Sequence, residues 1–229
     1  MIKDPPALTI RRTFPRPPAA EIAAFAGVPT GYVVDALGGR GALDYRIKPL
    51  LPVKSVMVGV AVTCHCGPAD NLAAFGALEA AKAGDVVVAA TDGFTATALV
   101  GDLYMGMARN RDLVGLVTDG LARDLPGIQA VGLPIYCAGV TPNSPARVGP
   151  GTVGLPVVVG GVTVESGDII IGDVDGVVVV RRAEAAGVIT KLADIRAAEA
   201  ALDAKVKGGL QVPEFFKSVL ASDRVVEVE

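Results

Sequence analysis

Histidine occurs once in this chain, tryptophan not at all, and cysteine only three times. Each scarcity removes a class of chemistry. A Ser-His-Asp triad would have to be built on His65, and nothing near it has the form of a nucleophile elbow. Cys64, Cys66 and Cys137 are too few for a disulfide framework, which points to a reducing cytoplasm. Basic residues are not in excess: 21 Lys and Arg stand against 24 Asp and Glu. Beyond Arg11-Arg12 and Arg181-Arg182 no basic stripe exists, so no nucleic-acid surface is expected. Apolar runs such as "DVVVAA" stop at strand length, far short of the roughly 18 to 20 residues of a membrane span. The first residues, "MIKDPPALTIRRTFPRPP", lack the apolar core of a signal peptide.

What is present is aliphatic. Hydrophobic residues make up 51% and aromatics only 4%, so a core must be built from Val, Ala, Leu and Ile. The 28 glycines supply its turns. A chain of 229 residues with no linker and no internal repeat reads as one mixed α/β domain over 1–229. Residues 1–18 are Pro-rich and read as an extended arm, and 207–229 as a C-terminal tail.

"AAEIAAFAG" reads as a short helix, and "PTGYVVDALGG" as a second with Thr30 as N-cap and Gly38 as its stop. "VMVGVAVTCHC" alternates like a strand. "DNLAAFGALEAAKAG" predicts a helix capped by Asp70, with Gly84 just beyond its end. "DVVVAATDG", "GLVTD" and "LPIYCAG" read as strands, with "GDLYMGMARN" a helix among them. This alternation predicts parallel βαβ units. From Val157 to Val180 glycine pairs punctuate short β runs, which predicts antiparallel hairpins. A last helix is expected over about 183–206.

Two motifs fail on context. "GPGTVG" (Gly149 to Gly154) fits a dinucleotide fingerprint but follows a Pro-rich loop and precedes β residues, where a strand and then a helix are needed. In "CHC", Cys64 and Cys66 share one strand face and His65 the other, with no fourth ligand cluster, so core cysteines are expected rather than zinc.

"GLVTDGLARD" carries more. Arg123 and Asp124 are sequence neighbours whose side chains would point in different directions, so each is expected to seek a partner other than its neighbour. Arginine offers a planar fork for a substrate carboxylate, and a single aspartate suits Mg²⁺, which keeps waters and takes substrate oxygens. The alternative is two solvated surface charges. Upstream, Gly101-Asp102 lies where a helix begins, so free backbone N–H groups there could hold a carboxylate; alternatively Asp102 is an ordinary cap.

"GDLYMGMARNRDLVGLVTDGLARD" resembles the RraA-like family, which holds the class II 4-hydroxy-4-methyl-2-oxoglutarate / 4-carboxy-4-hydroxy-2-oxoadipate aldolases and the regulator of ribonuclease activity A. "TGYVVDALG", "GVAVTC", "ADNLAAFGALEAAKAGDVVV", "LPIYCAG" and "SGDIIIGDVDGVVVV" extend the resemblance over roughly residues 28–208. It implies an α/β fold of the swivelling β/β/α type with a C-terminal helix, assembled as trimers or hexamers with sites between subunits. It further implies that Asp124 holds Mg²⁺ or Mn²⁺, and that Arg123 contacts substrate and steadies an enolate. The backbone amides of Gly101, Asp102, Leu103 and Tyr104 would bind a pyruvyl carboxylate, and Asp102 would order the metal's waters. The activity implied is cleavage of a 4-hydroxy-2-oxo dicarboxylic acid to pyruvate, with oxaloacetate decarboxylation beside it. A non-catalytic, ribonuclease-binding protein is the alternative. A menaquinone methyltransferase is not expected, for want of a Gly-rich loop between strand and helix.

The better-known aldolases carry "DNW" with a histidine a few residues on, where this chain has Asp70-Asn71-Leu72 and Phe75. Asn71 could touch substrate or simply bond the helix start. The tail "GGLQVPEFFKSVL" matches only loosely. In the last helix Val188, Leu192, Ile195, Leu202 and Val206 form an apolar stripe, and Glu199 fills its gap on the face expected to be buried. Either Glu199 reaches water there or, as the resemblance implies, it is delivered as a catalytic residue to the metal site of a neighbouring subunit.

Overall fold

The alternation of "VMVGVAVTCHC" becomes a ten-residue strand at the centre of the molecule, in a computed structural model that describes residues 3–228. Along the chain run β1 (Leu8–Ile10), α1 (Ala19–Ala24), α2 (Thr30–Ala36), β2 (Lys48–Pro49), β3 (Met57–Cys66), α3 (Leu72–Ala80) and β4 (Asp85–Ala90). Next come β5 (Ala98–Val100), α4 (Asp102–Asn110), β6 (Gly115–Thr118), β7 (Leu121–Ala122), α5 (Leu125–Val131) and β8 (Ile135–Cys137). β9 (Gly151–Val153), β10 (Val157–Val159), β11 (Val162–Val164), β12 (Ile169–Gly172), β13 (Val177–Val180), α6 (Ala185–Lys207) and α7 (Glu214–Leu220) complete it.

The main sheet has the order β1-β9-β3-β4-β6-β8-β2, with the β12–β13 hairpin joined through β12 to β3. β3, β4, β6 and β8 are mutually parallel, and β10–β11 and β12–β13 are antiparallel hairpins, as the sequence pattern predicts. Alternate residues serve opposite faces. Val62, Cys64, Val87, Ala89 and Leu116 pack toward α3, α4 and α5, while Ala61, Val86, Val88 and Val117 pack beneath β10 and β11. Burial on both faces is why β4 reads as an apolar run from Val86 to Ala90. A third cluster seals α1, α2 and the first half of α6 against β12 and β13. Cys64, Cys66 and Cys137 are buried free thiols, so the core-cysteine expectation holds, and His65 on the opposite face meets Asp92 at 2.9 Å. "GPGTVG" leads into β9 and not into a helix.

Helix termini depart from the sequence reading because their partners are remote. α2 is capped at Pro29, and Thr30 is its first helical residue; the Asp173 carboxylate accepts from the Thr30 N–H and from its hydroxyl, both at 2.8 Å. α3 starts from Asn71, and Asp70 accepts from the Leu72 N–H on one oxygen and from Val148 and Gly149 N–H on the other. Burial alone would raise the Asp70 carboxyl, but these three backbone donors together bring it below its ordinary range. α3 also ends at Ala80, well before Gly84, because Lys82 N–H turns to the Asp85 carboxylate at 2.8 Å.

Near the N-terminus β1 pairs in parallel with β9, and Arg16 reaches Asp85 through two bonds of 2.6 and 2.7 Å. The tail holds an unexpected helix, α7. The stripe on α6 is buried only at its start. Ile195 is half-buried, and Leu202, Val206 and Glu199 are exposed, because α6 packs on α1 and α2 through its first half only. Among the described residues no helix is long and apolar enough to cross a membrane.

Candidate active site

The short strands β5 and β7 lie parallel, and Arg123 N–H donates to Val100 O at 3.0 Å. Gly101 and Arg123 are therefore side by side, and two helices begin next to each other: α4 at Asp102 and α5 just after Asp124. The first amides of any helix lack intrahelical acceptors, so the start of α4 presents free N–H groups.

Asp124 adopts left-handed backbone, φ 58° and ψ 44°, at the N-cap of α5. A non-glycine residue there costs about 1 kcal/mol or more, and aspartate is among the residues that tolerate it best. In this conformation the carboxylate does not cap its own helix. It folds back instead, and Oδ2 accepts from Arg123 Nε at 3.0 Å. The expectation that the neighbours would not pair is thus corrected, because it assumed regular backbone at Asp124. The pairing is partial. The side chains are 32% and 44% exposed, Asp124 Oδ1 has no hydrogen bond among the described residues, and Arg123 Nη1 donates to Ser144.

Two glycines make the corner possible. A Cβ at Gly101 would fall 2.5 Å from Asp124 Oδ2, and one at Gly127 would fall 2.5 Å from Asp102 Cβ and 2.7 Å from its Cγ. The arrangement is reciprocal: the acid at the start of each helix occupies a notch left by the other helix's glycine. Asp102 Oδ1 accepts from the Leu103 N–H at 2.8 Å.

The remaining expected residues divide. Leu103 is 78% exposed beside the corner. The Tyr104 side chain turns inward, where its hydroxyl donates to Ala74 O at 2.8 Å and burial pushes the phenol well up; only its backbone can face a ligand. Asn71 is buried, and its Nδ2 donates to Leu99 O at 2.8 Å, two residues before Gly101. Its Oδ1 is buried without a partner, so Asn71 makes no helix-start bond and keeps an unspent acceptor. Glu199 lies on the exposed half of α6, whose main packing is on α1 and α2 and not on α4 or α5. Ser144 and the segment around it had no signal in sequence, since "GVTPNSPARVGP" has neither periodicity nor motif.

Among the described residues no group of three or more His, Cys, Asp or Glu could hold a metal by itself. The donors at the corner are two carboxylates, Asp124 and Asp102, without thiol or imidazole. That set fits a hard ion such as Mg²⁺, which takes one or two carboxylates and completes its shell with water and substrate oxygens. It does not fit a structural zinc. Two surface cavities, of about 490 and 550 Å³, lie near Ser55 and Pro134, and neither is lined by Asp102, Arg123 or Asp124.

Comparison with known proteins identifies the family. The family model described as RraA-like, Aldolase/RraA, matches residues 30–179. A protein of Halalkalibacterium halodurans, named provisionally as a 4-hydroxy-4-methyl-2-oxoglutarate aldolase, is 37% identical over 170 residues, covering 74% of this chain and 80% of that protein. Among solved structures, Streptomyces coelicolor RraAS2, described as an unusual member of the RNase ES inhibitor RraA protein family, superposes with a TM-score of 0.74 at 27% identity, covering 83% of this chain and 99% of that one. A Geobacillus kaustophilus structure titled S-adenosylmethionine: 2-dimethylmenaquinone methyltransferase gives 0.62 at 28% identity, covering 67% and 95%.

Proposed function

The chain belongs to the RraA-like family, and from that premise we propose that it is a divalent-metal-dependent class II aldolase. Its substrate is a 4-hydroxy-2-oxo dicarboxylic acid resembling 4-hydroxy-4-methyl-2-oxoglutarate, cleaved to pyruvate and a second oxo acid. One observation carries this: Asp124 is held in left-handed backbone with one carboxylate oxygen on Arg123, in the space kept open by Gly101. A solvated surface pair would need neither the strain nor the glycine.

In this reaction the bond between C3 and C4 breaks, the 4-hydroxyl loses its proton as C4 becomes a carbonyl, and the electron pair enters a pyruvate enolate. Mg²⁺ or Mn²⁺ held at Asp124, with Asp102 ordering its waters, would supply Lewis acidity toward the 2-oxo group. The amides of Gly101, Asp102, Leu103 and Tyr104 bind the pyruvyl carboxylate at the start of α4, the Leu103 N–H being released by Asp102 Oδ1 to do so. Arg123 places its charge where the enolate develops. The 4-hydroxyl proton leaves through a water toward Asp102, and the enolate takes up a proton at C3 to become pyruvate. Oxaloacetate reaches the same enolate by loss of CO₂.

The open corner supports assembly as a homotrimer or hexamer in which a neighbour's α6 delivers Glu199. A cytoplasmic place belongs to the same proposal. So does rejection of a methyltransferase role, since no Gly-rich loop joins a strand to a helix at "GPGTVG". Likeness to the RNase ES inhibitor family supports a second proposal, a non-catalytic ribonuclease-binding protein. A coupled assay of pyruvate release decides between them. Mg²⁺-dependent pyruvate from the diacid or from oxaloacetate, abolished by chelation, is expected; none from either would leave the binding protein.

A further inference from the structure

The segment 139–149 runs past the corner as a strap. Ala122 N–H bonds Gly139 O, Ser144 takes Arg123 Nη1, and Ala146 O accepts from Asn71 N–H at 3.0 Å. Asp70 then fixes Val148 and Gly149 from their N–H groups. The strap thus joins the Arg123 corner to the start of α3, and Arg147 is held by backbone bonds on both sides. Its guanidinium lies 5.7 Å from the centroid of the Phe75 ring, and that ring meets Tyr104, in the first turn of α4, edge-on at 5.4 Å. Among the described residues Arg147 has no carboxylate partner and no hydrogen bond from its guanidinium.

These facts place a cation with an unspent fork on the strap, one residue after Ala146, which bonds Asn71 N–H, and three after Ser144, which bonds Arg123. Stacking on an aromatic face restrains a guanidinium while leaving its N–H edge free to take a carboxylate in bidentate fashion. Arg123 and the α4 amides serve the reacting end of a ligand. A second cation on the strap has no use for a ligand with one anionic group.

We infer that Arg147 is a specificity-determining residue that binds a second carboxylate, remote from the reacting carbons, and so selects dianionic oxo acids over monoanionic ones. This deepens the aldolase proposal, on which it rests for the nature of the substrate.

The test uses binding as well as turnover. Pyruvate and 2-oxoglutarate share a 2-oxo acid end, but only the second carries a distal carboxylate, and neither can undergo the cleavage. Titration of each into the intact protein with Mg²⁺, followed by calorimetry, is expected to show tighter binding of 2-oxoglutarate. Arg147→Ala should weaken it by about 10- to 100-fold and leave pyruvate unchanged, with Arg147→Lys recovering part. In turnover, KM for the hydroxy-oxo diacid should rise by a similar factor while kcat holds. Equal affinity of the parent for the two ligands, binding of neither, or equal loss for both in Arg147→Ala would overturn the assignment. Selective loss of 2-oxoglutarate without any pyruvate-forming activity would uphold Arg147 and remove the aldolase proposal instead.

Discussion

Arg16 with Asp85, and Arg123 with Asp124, are both arginine–aspartate pairs, and they are built to opposite ends. The first joins residues 69 positions apart through two bonds of 2.6 and 2.7 Å, and the Asp85 side chain is 1% exposed. Its carboxylate also takes the Lys82 N–H, so its oxygens are spent inside the protein. The second joins neighbours through a single 3.0 Å bond from Nε, at a strained backbone, with one oxygen and half the fork left over. Closed pairs of this kind hold structure, because a lone buried carboxylate is costly. A pair that is half made and open to solvent adds little stability. What it has instead is unused capacity, and the notch at Gly101 preserves that capacity at the expense of local strain.

The contrast can be broken by exchanging the two outcomes. The largest effect is expected for Asp124→Asn, which tolerates left-handed backbone but removes the charge. Pyruvate formation should fall about 10³-fold, or roughly 4 kcal/mol of barrier, while the melting temperature moves by no more than about 2 °C. Near-normal Mg²⁺-dependent turnover would make the second pair as structural as the first. Arg16→Ala should do the reverse. Stripping the cation from buried Asp85 is expected to lower unfolding free energy by about 3 kcal/mol in urea, with kcat unaltered at temperatures where the protein stays folded. A loss within error would mean that water already reaches Asp85.

Arg123→Lys sharpens the comparison next. A point charge can neutralise Asp124 but cannot serve the carboxylate, Ser144 and a substrate together, so kcat/KM should fall about 10²-fold with unfolding unchanged. Parity with the parent would reduce Arg123 to a surface charge. The smallest effect is expected for Gly101→Ala. Its φ of −131° suits any residue, so stability should change by less than about 1 kcal/mol. The new methyl displaces Asp124 Oδ2, and activity should drop about tenfold with a raised Mg²⁺ requirement. An unaltered requirement would separate the carboxylate's position from its role.

The sheet was legible because burial writes directly into composition. β3 alternates and β4 is apolar from Val86 to Ala90, and no remote partner is needed to explain either pattern. The helix ends were not legible in the same way. Asp173 lies 143 residues from the Thr30 it caps, and Asp70 divides its oxygens between its own helix and the strap. At the corner, residue types pointed to Arg123, Asp124 and Gly101, but their mutual geometry hangs on one φ angle, which no side-chain periodicity reports. Gly127 lies in a short helix, α5, that no sequence pattern announced. Ser144 and Arg147 stood in an irregular stretch whose conformation is set entirely by what it touches.

The interlocked notches of α4 and α5 also bear on how the chain can change in length. Gly127 lies three residues after Asp124, and a helix advances about 100° per residue. One inserted residue in 125–126 would swing the notch away from Asp102 while every functional side chain remained present in sequence. Chain length is thus constrained at this point as strictly as residue identity. In the exposed run from α6 to α7, by contrast, an added residue would leave the corner untouched. Loop grafts and fusions aimed at this protein should therefore be placed after Lys207 and kept out of the stretch from Val100 to Gly132.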